Sequence, residues 1–170
     1  AMGACLPVGS ERVLDLGSGG GVPGLVLAEE EPGLSLVLLD SAARRCRFLR
    51  RAIGALGLED RVEVVEERAE TAARHPALRE MSDAVVARSF GPPAVTAECA
   101  VGFLRLGGSL VVSEPPETAV RWPPEALADL GLAPAVDCGT GEFSFVRLEK
   151  TRADDRWPRR VGIPAKRPRF

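Results

Sequence analysis

A glycine-rich turn directly after a short apolar segment constrains this chain more than any other feature. The segment 13–16 reads Val-Leu-Asp-Leu, and glycines follow at positions 17, 19, 20, 21 and 24. Glycine takes positive φ angles readily and lets a ligand approach a backbone that a Cβ would otherwise shield. Such a turn between a buried strand and a helix is typical of a nucleotide-sized pocket at the carboxyl edge of a parallel sheet.

The same segment fits two ligand classes. Residues 19–24 match the dinucleotide pattern G-x-G-x-x-G, and Asp40 lies about 20 residues further on, where it can bind a ribose hydroxyl. However, Asp15 precedes the first glycine, and the spacing D-x-G-x-G-x-G over residues 15–21 resembles motif I of the class I methyltransferases that use S-adenosylmethionine (SAM). A carboxylate suits the zwitterionic amino-acid end of SAM and repels the pyrophosphate of NAD. The segment therefore favours SAM, with NAD and a turn without a ligand as alternatives.

The composition predicts a single globular domain. The chain has 170 residues, of which 45% are hydrophobic and 27% are charged, and this suffices for one full core. No apolar run approaches the roughly 20 residues of a membrane helix, and the first residues lack the basic start of a secretory signal. Four scattered cysteines and a single histidine, His75, match no zinc pattern. We therefore expect a cytoplasmic protein with reduced thiols, no metal and no membrane contact.

Charge is distributed unevenly along the chain. Residues 150–170 hold eight basic and two acidic residues, although the net charge of the whole chain is −2. A basic end on an acidic body suggests contact with a polyanion, and a solvated end is the alternative interpretation. Because no periodicity follows Glu149, we divide the chain into a domain over residues 1–150 and a basic, Pro- and Arg-rich tail over residues 151–170.

Apolar runs alternate with helical patterns, which is typical of a parallel α/β sheet. We predict strands at residues 13–16, 34–39, 62–65, 83–87, 110–113, 133–138 and 143–149. Helices are expected after Pro23, over 41–56 with Ser41 as N-cap and Gly57 as terminator, over 93–103 and over 125–130. Turns are expected at Gly107-Gly108 and at residues 139–141. The predicted fold is an α/β sheet of seven strands, five parallel and two in a terminal antiparallel hairpin, with helices on both faces.

Four further motifs follow the glycine-rich turn in order. They are Leu38-Leu39-Asp40-Ser41 before Phe48-Leu49, then Arg68-Ala69-Glu70, then Arg88-Ser89-Phe90, and finally Pro-Arg-Arg-x-Gly-x-Pro-x-Lys over residues 158–166. Over residues 13–112 and again in the tail, the set resembles the bacterial 16S ribosomal RNA (guanine-N7) methyltransferases of the glucose-inhibited division protein B type. The tail motif carries most weight, because class I methyltransferases in general lack it. The resemblance implies the Rossmann-like sheet of a class I methyltransferase.

The resemblance also implies a cofactor, a substrate and site residues. The cofactor is SAM, and the methyl acceptor is N7 of a guanine in 16S rRNA, free or in the small ribosomal subunit, for an enzyme that acts as a monomer. The implied cofactor-binding residues are Asp15, Gly17, Ser18, Gly19, Gly21, Val22, Asp40, Ala69, Glu70 and Arg88. Arg88 is also the implied catalytic residue, since it would face both the cofactor and the incoming base. The implied RNA-binding residues are Arg159, Arg160, Lys166 and Arg167.

Three of these residues have a structural alternative. Asp40 can instead cap the helix that follows it, Glu70 can pair with Arg74 at i, i+4, and Arg88 can pair with Asp15. The implied methyl transfer requires these residues to position the reactants, not to exchange protons with them. Because guanine N7 carries a free lone pair, methyl transfer to it needs orientation rather than a general base.

Two departures from the family pattern bear on the substrate. The fifth strand leads into Ser113-Glu114-Pro115-Pro116, where the family usually has a Leu-Lys-Gly-like segment, and an acidic Glu114 on the RNA face would weaken RNA binding. The family also has a helical region ahead of the glycine-rich turn, whereas 12 residues precede Val13 here. The alternative functions are therefore a SAM methyltransferase with another RNA or a small-molecule substrate, and a SAM- or RNA-binding module without turnover.

Overall fold

Seven strands form one sheet in the computed structural model, which describes residues 2–115, 121–139 and 143–170. The strands are β1 (Arg12–Leu16), β2 (Ser35–Asp40), β3 (Val62–Glu66), β4 (Ser82–Ala87), β5 (Leu104–Glu114), β6 (Val136–Asp137) and β7 (Ser144–Glu149). Their order across the sheet is β3-β2-β1-β4-β5-β7-β6. The first five strands are parallel, β7 is antiparallel to β5, and β6 is antiparallel to β7. The predicted fold class is therefore confirmed.

Helices connect the strands and cover both faces of the sheet. They are α1 (Gly24–Glu30), α2 (Ala43–Leu56), α3 (Ala69–Ala72), α4 (Pro93–Val101), α5 (Pro124–Asp129) and α6 (Ile163–Lys166), and a 3₁₀ helix covers Met2–Cys5. Gly57 ends α2 with a left-handed φ of 67°, as predicted. Within the described ranges, no helix combines the length and the hydropathy that a membrane span needs.

The central strands are buried on both faces, as continuous apolar strand sequences require. Because side chains alternate between the two faces of a strand, Leu14 and Leu16 of β1 join the core that contains α3, α4 and α5. Val13 points to the other core, which contains α1, α2 and the 3₁₀ helix. The two cores hold β1 in the middle of the sheet and so position the glycine-rich turn that follows it.

Two local predictions are wrong. β5 starts before Gly107-Gly108 rather than after it, and the pair lies next to a register shift between β4 and β5. A Cβ on Gly108 would lie 3.0 Å from the carbonyl oxygen of Asp83, so close approach of two strands requires that glycine. Ser41 does not cap α2: the N-cap residue is Ala42, which makes no side-chain capping bond.

The C-terminal segment, residues 151–170, packs against the sheet domain. Trp157 is 4% exposed and belongs to the core that contains α4 and α5, and α6 lies against α4. The predicted boundary at residue 150 stays a prediction, although the two parts share one core. The predicted hairpin turn at 139–141 lies mostly outside the described residues.

Lys150 is a buried cation where β7 ends. Its residue is 2% exposed, and Nζ donates to the Glu80 carboxylate at 2.6 Å. The same ammonium donates to the carbonyl oxygens of Val101 and Leu104 at 3.0 Å and 2.9 Å. These bonds compensate a charge that is costly to bury alone, and they tie the end of β7 to the turn between α4 and β5.

We expect Lys150→Ala to lower the free energy of unfolding by roughly 3 kcal/mol, because two buried carbonyl groups lose their donor and the side-chain packing is lost. Urea unfolding measures the change. The matched control is Lys166→Ala at an exposed position, which should leave stability nearly unchanged. Equal effects of the two substitutions would contradict the structural role of the Lys150 ammonium.

Candidate functional site

The glycine-rich turn is tied to the end of β2. The backbone N–H groups of Gly17 and Ser18 both donate to the carbonyl oxygen of Leu39, at 2.9 Å and 3.0 Å. The N–H of Gly19 donates to Oδ2 of Asp40 at 3.0 Å. The turn therefore takes its shape from the neighbouring strand, and its backbone lies beside the Asp40 carboxylate.

Two of the glycines are required by close contacts. Gly17 has φ +76°, and a Cβ there would lie 2.6 Å from Cδ2 of Phe90. A Cβ on Gly24, at the start of α1, would lie 2.6 Å from Oδ2 of Asp15. The first glycine brings β1 against the loop after β4, and the second brings α1 against the acid in β1.

Asp15 is the buried acid beneath the turn. Its residue is 1% exposed, and Oδ2 accepts the N–H of Gly24 at 3.0 Å. Oδ1 has no hydrogen-bond partner among the described residues. Burial raises the pKa of Asp15 from 3.8 to about 7, against the smaller lowering effects of the Gly24 amide and of Ser18. Asp15 is therefore a carboxyl group with an unused acceptor, poised between its neutral and charged forms.

A first cavity of about 300 Å³ opens at the carboxyl edge of β1 and β2. Four of the predicted cofactor-binding residues line it, namely Gly17, Asp40, Ala69 and Glu70. The other lining residues are Leu39, Ser41, Arg45, Glu67, Arg68, Ser89, Phe90, Val95, Cys99 and Ala165. Two buried carboxylates, Asp40 and Glu70, give this cavity acceptors for a ligand that carries hydroxyl or amino donors.

The remaining predicted cofactor residues of the turn lie outside that lining. Ser18 is 2% exposed and its hydroxyl donates to the carbonyl oxygen of Asp15 at 3.0 Å. Gly19 and Gly21 shape the turn, and Val22 is 44% exposed beyond it. These four residues support the shape of the turn, and their cofactor contacts stay a prediction.

Asp40 has partners in three directions. Besides Gly19, it accepts the N–H of Ala42 at 2.8 Å through Oδ1 and forms an ion pair with Arg45 at 3.4 Å. The bond to Ala42 satisfies a free N–H at the start of α2, so Asp40 performs the capping that the sequence assigned to Ser41. Asp40 therefore caps α2, as the structural alternative predicts, and it also lines the first cavity.

Glu70 is held by the C-terminal segment rather than by its own helix. Its residue is 8% exposed, and Oε1 accepts the N–H of Gly162 at 2.8 Å. The alternative partner Arg74 donates instead to the carbonyl oxygen of Pro158. The C-terminal segment therefore reaches the cavity that Gly17 of the glycine-rich turn also lines.

A second cavity of about 330 Å³ lies beside the first, at the carboxyl ends of β4 and β5. Ser89 and Phe90 line both cavities and form the wall between them. The second cavity is also lined by Glu114, Arg121 and Trp122. The Glu114 side chain is 2% exposed and pairs with Arg121 at 2.7 Å. Burial raises the pKa of Glu114, although Arg121 opposes this, so Glu114 faces a paired interior rather than an open RNA surface.

Arg88, the predicted catalytic residue, is exposed and lies outside the lining of both cavities. No carboxylate among the described residues lies within ion-pair distance of it, Asp15 included. Of the sequence motif Arg88-Ser89-Phe90, the last two residues line the cavities. Ser89 has φ +56°, and this unusual backbone directs it and Phe90 toward the cavities. The catalytic role of Arg88 stays a prediction.

The four predicted RNA-binding residues have different environments. Arg159 is engaged internally: its guanidinium donates to the fully buried Glu98 carboxylate at 2.8 Å and 2.6 Å. Arg160, Lys166 and Arg167 are exposed, and their side chains have no ion-pair partner among the described residues. These three side chains form the free cationic surface of the C-terminal segment.

The fold and the site together define a class of protein, the class I SAM-dependent methyltransferases. The features that this chain shares with that class are the strand order with a reversed β7, the glycine-rich turn after β1 and the acid at the end of β2. A solved SAM-dependent O-methyltransferase from Thermotoga maritima superposes with a TM-score of 0.68 at 14% identity, over 91% of this chain and 64% of that chain. At this identity, the likeness concerns the fold.

The chain belongs to the GidB family, rRNA small subunit methyltransferase G, whose family model matches residues 2–114. Proteins named ribosomal RNA small subunit methyltransferase G from Rubrobacter xylanophilus and Symbiobacterium thermophilum are 41% and 37% identical to it. The matches cover 92% and 93% of this chain. The chain spans 64% of the length of the Rubrobacter protein and 70% of the Symbiobacterium protein. The family predicted from the sequence is confirmed.

The raised pKa of Asp15 predicts a pH dependence of stability. The folded protein keeps a proton that the unfolded chain, with a pKa of 3.8, releases. The contribution of this group to stability is therefore complete below that value and is lost as the pH rises through about 7. In Asp15→Asn the side chain is neutral at every pH, and its amide oxygen can still accept the Gly24 N–H.

We expect the difference in free energy of unfolding, Asp15→Asn minus wild type, to rise from roughly pH 4 to roughly pH 7 and to level off above that range. Urea unfolding across this range measures the difference. The control is Asp60→Asn at an exposed position, whose curve should run parallel to that of the wild type. Parallel curves for Asp15→Asn would contradict the raised pKa.

Proposed function

We propose that the whole protein transfers a methyl group from SAM to N7 of a guanine in 16S rRNA. The observation that carries this proposal is the pair of adjoining cavities that share the wall of Ser89 and Phe90. The first cavity suits SAM and the second suits a guanine base. Because the two cavities adjoin at Ser89 and Phe90, the methyl group would have only a short distance to travel from SAM to the base. Membership of the GidB family supports the reaction and its RNA substrate.

The residues of the first cavity fit SAM. Asp40 and Glu70 offer carboxylate oxygens to the ribose hydroxyls and the adenine amino group, and Gly17 brings the turn against the Phe90 ring at the edge of the cavity. Asp15 lies beneath the turn, outside the lining of this cavity, and its acceptor without a partner among the described residues suits the ammonium end of the cofactor. When bound, SAM supplies an electrophilic methyl group on a sulfonium.

The second cavity would hold the guanine. Phe90 offers an aromatic face at the shared wall, and Glu114 offers a buried carboxylate to the N–H groups of the Watson–Crick edge. Methylation at N7 makes the base cationic, so a carboxylate nearby stabilises the charge that develops. No proton has to leave N7 before the attack. The work of these residues is to hold the base in line and keep water out.

RNA would reach the site across the surface of Arg160, Lys166 and Arg167. These exposed cations lie on the segment that borders the first cavity, so phosphates bound there would lead a nucleotide toward the two cavities. A ribosomal RNA substrate also supports the cytoplasmic location predicted from the composition.

The cofactor assignment predicts binding of S-adenosylhomocysteine (SAH), the product form of SAM, and no binding of NAD. In Asp40→Ala the turn loses its bond to Gly19 and the cavity loses an acceptor. We expect SAH affinity to fall at least about tenfold, as measured by isothermal titration calorimetry. Asp60→Ala, an exposed substitution, should bind SAH as the wild type does. Binding of NAD in preference to SAH would favour a dinucleotide site instead.

The RNA assignment predicts a salt effect. Each phosphate contact adds about 0.7–0.9 to the slope of log affinity against log salt concentration. We expect the triple substitution of Arg160, Lys166 and Arg167 to Gln to lower the slope for 16S rRNA by about two and to reduce transfer of labelled methyl groups. The matched control replaces three exposed arginines of α2, which are Arg44, Arg47 and Arg51. A larger effect of the α2 triple would place the RNA on the other side of the protein.

The position of the transferred methyl group tests the reaction itself. N7-methylguanine makes RNA cleavable by reduction followed by aniline, and the cleavage site identifies the nucleotide. Incorporation of label into 16S rRNA without cleavage would show methylation at another atom.

A further inference from the structure

The C-terminal segment forms part of the first cavity. Ala165, in α6, lines the cavity, and the N–H of Gly162, directly before α6, donates to Oε1 of Glu70 at 2.8 Å. Glu70 lines the same cavity from the opposite element, α3. The wall of the cavity on this side is therefore built from residues more than 90 positions apart in the chain, and it exists only while α6 is in place.

The ion pair between Arg159 and Glu98 is one of the contacts that anchor this segment. Glu98 of α4 is 0% exposed, and Arg159 meets it with three donors. The backbone N–H and Nε of Arg159 reach Oε1 at 2.9 Å and 2.8 Å, and Nη2 reaches Oε2 at 2.6 Å. A two-pronged guanidinium–carboxylate pair fixes orientation as well as distance. The buried carboxylate in turn makes the arginine hard to remove.

The same arginine also fixes the far end of the segment. Its Nη2 donates to the carbonyl oxygen of Arg167 at 2.8 Å, so residues 159–167 are tied at both ends to one guanidinium. Glu98, which holds that guanidinium, stands on α4 beside Cys99, and both Cys99 and Val95 of α4 line the cavity. The ion pair therefore joins two walls of the cavity, α4 and α6.

We propose that Arg159 is a positioning residue for the cofactor, which holds residues 159–167 in place as a wall of the first cavity. This inference rests on the proposed function, since it takes SAM as the ligand of that cavity. It differs from the expectation that Arg159 contacts RNA. Arg160, Lys166 and Arg167 face solvent on the segment that Arg159 holds. RNA bound to these side chains and cofactor bound in the first cavity would therefore both stabilise the same position of residues 159–167. Such linkage is reciprocal: each ligand tightens the other.

Calorimetric titration of the full chain with SAH tests the proposal. We expect Arg159→Gln to weaken SAH binding at least about tenfold and Arg159→Lys to restore part of the loss, since lysine keeps the charge but not the two-pronged geometry. The matched control is Arg51→Gln, which removes an exposed arginine from α2 and should leave the affinity unchanged. The thermal midpoint of each variant is measured alongside.

A second pair of variants keeps the test decisive if Arg159→Gln does not fold. Ala165→Phe adds bulk to the proposed wall at an exposed position and leaves the ion pair intact. Val161→Phe adds the same ring to a neighbouring exposed residue that is not among the lining residues. We expect only Ala165→Phe to weaken SAH binding, with little change in thermal midpoint for either variant.

The outcomes separate the inference from the proposed function. If the wild type binds SAH and neither Arg159→Gln nor Ala165→Phe changes its affinity, the segment is not a wall of the cofactor site and the inference is wrong. If the wild type binds no SAH at all, the cofactor assignment fails and the inference fails with it. A weaker affinity in both variants, with unchanged controls, supports the positioning role.

Discussion

The Asp40 carboxylate is the group on which the glycine-rich turn and the first cavity depend. One oxygen accepts the N–H of Gly19 at 3.0 Å, and the other accepts the N–H of Ala42 at 2.8 Å. The glycine-rich turn and the start of α2 are thus held by one side chain at the tip of β2, a strand fixed between β1 and β3. A carboxylate has about four lone-pair positions, so these two bonds and the one from Arg45 at 3.4 Å leave capacity for one further donor. The structural role that the sequence offers as an alternative is thus observed for a residue that also lines the first cavity, and its cofactor contact stays a prediction.

Local patterns in the sequence predict much of this fold, and long-range contacts explain the rest. The strand at β2 is predictable because an unbroken apolar run must be buried on both faces, and the turn after β1 is predictable from its glycines. The pairing of Arg159 with Glu98 is not, because the partners are 61 positions apart and meet only through the path of the last residues. After β4 the motif is predictable but the left-handed backbone of Ser89 is not, and Ser89 and Phe90 line the cavities whereas Arg88 does not.

Charge in the sequence overstates the free cationic surface of the C-terminal segment. Of the eight basic residues over 150–170, five have partners within the protein, and they are Lys150, Arg152, Arg156, Arg159 and Arg169. The acidic partners Glu80, Glu98 and Asp129 belong to the body of the protein, whereas Asp154, which pairs with Arg156 at 2.6 Å, belongs to the segment itself. Much of the basic excess therefore anchors the segment to an acidic body. What remains for a polyanion is a small set of exposed side chains, whose effect depends on where they are held rather than on their number.

The wall between the two cavities contains a backbone conformation that its neighbours have to hold in place. Ser89 has φ +56°, a conformation that costs a non-glycine residue roughly 1–2 kcal/mol. The surroundings hold it there: Ala87 is paired with Val112 in the sheet, and Phe90 packs against the core and fills the space that the missing Cβ of Gly17 leaves. Strained backbone persists where neighbouring structure over-determines it. Gly17, directly after β1, and the aromatic ring after β4 therefore depend on each other, because a side chain at residue 17 would displace the ring that lines both cavities.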